Sequence, residues 1–572
     1  MTEASISAYD NFIIESAERY LRTVVLIDDR IYENERGSVA SHLTKPPAVR
    51  RKPALKSAIS PPDKSDKEIE KFEVSEEADE VSFHDIQNSF AEKRIICSLY
   101  QPKKRTTFDE KSEVYMLCST ADVVIVDWDL DDPSGNKATT LVGSLVEQSQ
   151  IEIPQQLRLV LIYTLEVNLQ FVADKILGDL VERLSKDKIT VDPQSEGLVP
   201  TTENARVVVL GKRENTTLTQ FSDYWVPESD LATRTIREFS RLASGLLQGI
   251  ILRGVANLRE NNRRIIARFH KDLDLAFLAH RSLLLPNEPF GQIVPLLTDE
   301  LRAVLEDTLS ESPLGTAPAI KRILDDWCSK HWKQNNDAKL KIGDGAEGLA
   351  FVNDVICNGA DLQNDYSKFR GSKIAKLINR KAPESPKWKE GKCDELLEYI
   401  SGDCSVDYCH EKLASLMSQR IKYDNSRRAL HLGVIVRELA DKKRYFLCLQ
   451  PVCDSVRMEG KGRAFLFCIF DESTNSRPFT HCIMDVRGNL IRLRYKPKVS
   501  CIFVSNFKGN DDAVYAKKAA KGQLIFEGEG KRYYEWIAEL KIEHAQWAAE
   551  QFGRELSRVG LTESEWLRIK AK

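Results

Sequence analysis

Ala121-Asp-Val-Val-Ile-Val-Asp-Trp-Asp-Leu-Asp-Asp132 carries the most telling pattern in the chain. Four apolar residues, Val123 to Val126, run directly into Asp127, and Asp129, Asp131 and Asp132 follow at once. A short run that is apolar at every position predicts a strand buried on both faces, as in a parallel sheet. An acid at the carboxyl end of such a strand stands where open α/β sheets place their chemistry. Apolar strands ending in Asp are common, and an isolated Asp127 would be a helix cap. Its meaning depends on how the other strands end.

Upstream, Val24-Val-Leu-Ile27 ends on Asp28-Asp29, and Arg94-Ile-Ile-Cys-Ser-Leu-Tyr100 is a further strand. Downstream, Leu157-Arg-Leu-Val-Leu-Ile-Tyr163 ends at Thr164, and Ala205-Arg-Val-Val-Val-Leu210 ends at Gly211-Lys212. Helical patterns near 7–20, 82–93, 109–120, 141–146 and 167–185 fall around and between these strands. The alternation predicts an α/β domain, a doubly wound five-stranded parallel sheet with strands near 24, 95, 123, 158 and 206. In that topology Asp28, Asp29, Asp127, Thr164 and Lys212 gather on one edge. Three carboxylates converging there repel one another, and a hard divalent ion such as Mg²⁺ relieves this. A hydroxyl and an ammonium beside the ion supply what the oxygens of a carboxylate-borne phosphoryl group need. The combination predicts an aspartyl-phosphate site.

Val-Val-Leu-Ile-Asp28-Asp29, Val-Asp127-Trp128, Tyr163-Thr164 and Lys212 resemble the motifs of the response-regulator receiver domain over about residues 20–215. The resemblance implies a flavodoxin-like fold and Asp127 as phosphoacceptor. It implies that Asp28 and Asp29 hold Mg²⁺ together with Asp127, and that Thr164 and Lys212 bind phosphoryl oxygens. The implied partner is a sensor histidine kinase. The chain departs from the pattern at several points. Arg213 follows Lys212 where a proline is usual, Leu165 follows Thr164 where a small residue is usual, and Asp129 adds an acid at the rim. An insert over 33–80 opens directly from the Asp28-Asp29 loop. We expect Leu165 and this insert to slow attack by water on the phosphoryl group.

The insert carries Pro46-Pro47, Pro53, Pro61-Pro62, a basic cluster from Arg50 to Lys56 and acids around Glu76-Glu77, a composition that predicts a disordered loop. Beyond the receiver (1–215) the sequence divides into a helical domain over 228–340 and an α+β domain over 341–572. In the helical part Leu231, Ile236, Phe239, Leu242, Leu246, Ile250 and others recur at helical spacing, and Gly245 and Gly249 suit close helix packing. The last part carries a β meander over about 444–504 and C-terminal helices, including a long one at 534–557 and a capping box at Thr562 and Glu565. Cys404, Cys409 and His410 lack a second pair at zinc-finger spacing, which disfavours structural zinc. Cys453-Asp-Ser-Val-Arg457 is read as a turn closed by an Asp454–Arg457 pair rather than a ligand site.

No phosphate-cradling Gly-x4-Gly-Lys-Ser/Thr, metalloprotease or nucleophile-elbow motif appears after residue 228, nor a helix-turn-helix. Asp127-Trp-Asp-Leu, Arg158 to Thr164, the helices around Gly245 and the Pro451-Val-Cys-Asp-Ser-Val-Arg457 motif resemble a large "response receiver" family. Its members belong to bacterial two-component systems of phage defence, of the Detocs type. The resemblance implies a phosphate-buffering or signalling component acting with the kinase and with a receiver-bearing effector of the same system. The competing reading makes residues 228–572 a receiver-switched effector with an unrecognised activity. Apart from its own phosphorylation and dephosphorylation, no enzymatic reaction is expected.

Composition sets the outer limits. The 572 residues are 42% apolar and 30% charged, with a net charge of −3, which gives no global argument for nucleic acid. Twelve cysteines spread over this length do not form a secreted disulfide pattern. With no signal-peptide pattern and no apolar run near the ~18 residues that span a bilayer, a cytoplasmic protein without membrane contact is expected.

Overall fold

The four residues Val123 to Val126 form a strand in which every side chain is fully buried. Each such side chain contributes on the order of 1.5–3 kcal/mol when taken from water. The computed structural model describes residues 7–31, 83–282 (apart from 104–105, 154–155 and 213–220), 293–311, 317–329, 378–379, 387–388, 570, and 406–556 apart from breaks at 424–426, 441–443, 457, 459, 461, 474–478, 487, 496–497, 510–511 and 520–522. The insert 33–80, the zinc candidate Cys404, Arg457 of the Asp454–Arg457 pair and the Thr562 capping box lie outside these residues.

The chain divides into two compact units, Met1–His280 with Phe290–Lys330, and Arg281–Pro289 with His331–Lys572. The first is built on a sheet of β1 (Thr23–Ile27), β2 (Ile96–Tyr100), β3 (Val123–Val126), β4 (Arg158–Thr164), β5 (Thr190–Val191), β6 (Pro200–Thr201) and β7 (Ala205–Gly211). The order is β2-β1-β3-β4-β7-β6-β5. The five strands expected from the sequence are parallel and adjacent. The sheet has seven strands rather than five, because β6 and β5 extend it antiparallel beyond β7. Each extra strand is two residues long, too short to carry a periodic signal, and both lie in what reads as a Pro/Gly loop.

The helices of this unit are α1 (Ala8–Tyr20), α2 (Phe83–Glu92), α3 (Glu113–Thr120), α4 (Asn136–Glu147), α5 (Leu169–Leu184), α6 (Leu231–Leu242), α7 (Leu246–Arg268), α8 (Asp274–Ser282), α9 (Ile293–Glu311) and α10 (Ala317–Trp327). Ser7, Ser112 and Asn168 cap α1, α3 and α5 by accepting from backbone N–H groups of the first turn. α1, α2 and α6 pack together, as do α3, α4 and α5, the two layers that right-handed crossovers give a doubly wound sheet. The long α7 lies against α1. A Cβ on Gly249 would come within 2.7 Å of Ile13 and 2.8 Å of Phe12, so close packing accounts for this glycine. Arg253 reaches Glu15 at 2.7 Å, and Arg259 reaches Asp122 at 3.0 Å.

The second unit holds a two-residue pair, β8 (Ile378–Asn379) and β9 (Lys387–Trp388), then α11 (Val406–Ser418), and an antiparallel sheet. Its strands are β10 (Val434–Glu438), β11 (Arg444–Cys448), β12 (Gly462–Glu472), β13 (His481–Met484), β14 (Leu490–Tyr495), β15 (Ile502–Lys508), β16 (Lys517–Lys518), β17 (Leu524–Gly528) and β18 (Arg532–Glu539). Pairing runs β11-β10-β18-β17-β15-β12, and β12 pairs again with β11, so six strands close into a ring. Phe446, Phe465, Phe467, Phe507, Phe526 and Tyr534 fill one face of this ring. α12 (Ile542–Leu556) covers the other with Ala545, Ala548 and Phe552 against Ile537 and Ala538. The long helix expected at 534–557 is therefore a strand to Glu539 and a helix after it. Tyr534 and Trp536 share one core while Ile537 and Ala538 belong to the other, a two-sided pattern that a strand makes.

Candidate functional site

Parallel register fixes where the acids fall. Ile27 pairs with Val126, Val126 with Ile162, and Thr164 with Gly211. The residues that follow emerge side by side at one sheet edge. The ladder continues one step past the strands, with Asp127 N donating to Ile27 O at 2.8 Å and Lys212 N donating to Thr164 O at 2.7 Å. Asp28, Asp127, Thr164 and Lys212 are all at least nine-tenths buried.

Lys212 Nζ lies 2.7 Å from Asp28 Oδ2 and 2.7 Å from Asp127 Oδ1. Burial opposes its charge, but the two carboxylates outweigh that and hold its pKa above the ordinary lysine value. Burial pushes the Asp127 carboxyl upward and Asp28 adds to this, while the Lys212 ammonium pulls it down. The remaining oxygens take backbone donors. Asp28 Oδ1 accepts from Arg30 N at 2.9 Å, and Asp127 Oδ2 accepts from Asp129 N at 3.0 Å.

Asp29 is the uncompensated member. Its Oδ2 accepts from Asp131 N at 3.0 Å, but its Oδ1 is buried without a hydrogen-bond donor. The nearest cation, Arg30 Nε, stands 4.0 Å away. Burial first, against the Asp131 N–H, and then the charges of Asp28 and Asp127 push its carboxyl up to about 6. Asp28, Asp29 and Asp127 each offer an oxygen within 4.8 Å of the others, the one such acid, Cys or His group among the described residues. An orphaned buried carboxylate oxygen beside two more oxygens is a donor set that a hard divalent cation fits.

Thr164 ends β4 with its Oγ1 accepting from Glu166 N at 3.0 Å, which leaves the hydroxyl proton free to donate. Leu165 is 46% exposed. The sequence reading missed Arg30, whose Nη2 pairs with Asp129 at 2.7 Å and ties the loop after β1 to the loop after β3. A cation directly following the Asp28-Asp29 pair was the available signal. It also missed Gly135. In the loop after Asp127, Trp128 is buried, with Phe171 edge-on at 6.5 Å and Lys175 Nζ 5.6 Å from its ring. Gly135 has a φ of +70° and lies so close to the indole that a Cβ would fall 2.1 Å from it. Lys212 stands 5.9 Å from the ring of Tyr163, whose hydroxyl donates to Val226 O at 2.8 Å.

Neither the curated proteins nor the solved structures include a match to this chain. The match comes from a family model, and it spans the elements that carry these five residues: a response receiver domain is present at residues 20–217.

Proposed function

We propose that this chain is a phospho-accepting component of a two-component phosphorelay, taking a phosphoryl group from a sensor histidine kinase onto Asp127. The observation that carries the reading is the convergence of Asp28, Asp29, Asp127 and Lys212 in one buried cluster beside Thr164. In the reaction an Asp127 oxygen attacks the phosphorus of a phosphohistidine. The O–P bond forms as the P–N bond breaks, and the electron pair leaves on the imidazole nitrogen, which takes up a proton. Asp28, Asp29 and Asp127 would hold a divalent cation, whose chemistry is to neutralise charge on the phosphoryl oxygens. Lys212 would exchange its contact with Asp127 for a phosphoryl oxygen, and the Thr164 hydroxyl would donate to another.

The whole-chain resemblance supports a narrower role, phosphate buffering or signalling in phage defence. A phosphorylated kinase domain mixed with this protein and Mg²⁺ tests the transfer. Label should leave the kinase faster than it does alone and appear on this chain. Label that stays on the kinase or is released only as inorganic phosphate would remove the kinase from the scheme.

A second reading, a receiver-switched effector in residues 228–572, is favoured by one observation. The second compact unit has its own aromatic core and its own surface cavities.

A further inference from the structure

A surface cavity of about 630 Å³ opens beside the end of α11, and its described lining includes Leu416, Arg420, Lys422, Tyr423 and Lys541. The charges in this wall do not balance. Glu539 is 3% exposed and takes Arg420 at 2.7 Å and Lys422 at 3.4 Å, with His431 3.9 Å away. Lys541 Nζ instead donates to Leu416 O, a neutral acceptor, at 2.8 Å. Three cations thus face one carboxylate. α12 begins at Ile542, directly after Lys541, and Glu543 in its first turn offsets the positive end of its dipole, so the surplus rests on the three side chains.

Tyr423 is the second, independent feature. It is 94% exposed, with Leu416 at 51% and Ile421 at 46% beside it. A tyrosine held this far out of any core contributes almost nothing to folding through burial, yet its ring stands at the rim of a cation-lined hollow. Cations alone would suit any anion. Cations with a free aromatic face and an apolar margin suit an anion that carries a planar ring.

We propose that this cavity binds a nucleotide phosphate. Arg420, Lys422 and Lys541 take the phosphate oxygens, and Tyr423 stacks on the base. A hollow of this size accommodates one nucleotide, supplied either free or as one unit of a single strand. The net charge of −3 on the whole chain does not oppose this, because the surplus is local to the cavity wall. The inference is independent of phosphorylation at Asp127.

The full-length chain is titrated with ATP, with a short labelled oligothymidylate and with pyrophosphate, in parallel with Tyr423→Ala and Lys541→Gln variants. Saturable ATP binding that falls about tenfold in Tyr423→Ala identifies a free nucleotide as the source. The same loss seen for the oligonucleotide alone identifies a strand. Pyrophosphate binding should be unchanged in Tyr423→Ala. Lys541→Gln should weaken every phosphate probe and reduce the salt slope by about one contact. The melting temperature of Tyr423→Ala, expected at the parental value, separates lost binding from lost folding. Absence of saturable binding by both nucleotide probes overturns the proposal. So does a Tyr423→Ala variant that binds as the parent does, or an equal affinity for polyglutamate.

Discussion

Asp29 is the uncompensated charge of the site. Its carboxyl is held near a pKa of about 6 by burial and by two neighbouring acids, and one of its oxygens has no donor. An Asp29→Asn substitution keeps the shape and removes one of three converging charges. In metal-free buffer the variant should be more stable by about 1–2 kcal/mol, because burying a charged carboxylate, and then its repulsion from two neighbouring acids, opposes folding. Mg²⁺ should raise the melting temperature of the parent and leave the variant unmoved; equal responses would show that Asp29 is not a ligand. Leu165 acts on a different quantity. With Leu165→Ala we expect phosphate loss to quicken severalfold, read by phosphoprotein decay after the donor is removed, while an unchanged decay would assign the residue no part in shielding. The acids, Thr164 and Lys212 were legible because each ends an apolar run. Arg30 was legible only as a cation following the Asp28-Asp29 pair, since its pairing with Asp129 needs the folded loops.

At the scale of elements, legibility followed the strength of the pattern. Four of the five parallel strands announce themselves as unbroken apolar runs, because both faces of the sheet's interior are covered, while the edge strand β2 carries Ser98 and is partly exposed. β5 and β6 carry no such run, and β18 was hidden by a helix-like mixture of aromatic and acidic residues in Tyr533-Tyr-Glu-Trp-Ile-Ala-Glu539. The loop after β3 depends on Gly135, which combines a left-handed conformation with contact against the Trp128 indole. Gly135→Ala should cost about 2–4 kcal/mol, from backbone strain and overpacking together, measurable by urea unfolding; a loss below half a kcal/mol would mean that Trp128 moves freely. In the second unit, His481 on β13 packs among Phe470, Tyr495 and Trp547. Burial first, then His544, pushes its pKa down to about 4. As pH falls below about 6.5, the unfolded chain takes up a proton that the folded one refuses until about pH 4. Stability should therefore drop across that window, by at most about 3 kcal/mol. Urea midpoints of the second unit should show this slope, and His481→Phe should flatten it.

On the scale of the whole molecule, the first unit joins the receiver to the helices that follow it. Glu238 on α6 is completely buried and pairs with Arg206 on β7, with Arg234 and with Arg241, all within 2.9 Å. β7 leads directly to Lys212, so α6 is tied by charge to the strand that carries one of the site residues. No described helix is long and apolar enough to cross a membrane. The separate core of the second unit was only partly legible, as a meander. Closure of its ring depends on β10 pairing with β18, which joins residues far apart in the chain such as Val434 and Glu539. The proposed role rests on Asp127 accepting a phosphoryl group. The direct measurement is intact mass of the parent and of Asp127→Asn after incubation with a phosphohistidine donor and Mg²⁺. One phosphoryl adduct is expected on the parent and none on the variant. An unmodified parent, or an adduct that persists in Asp127→Asn, would contradict it.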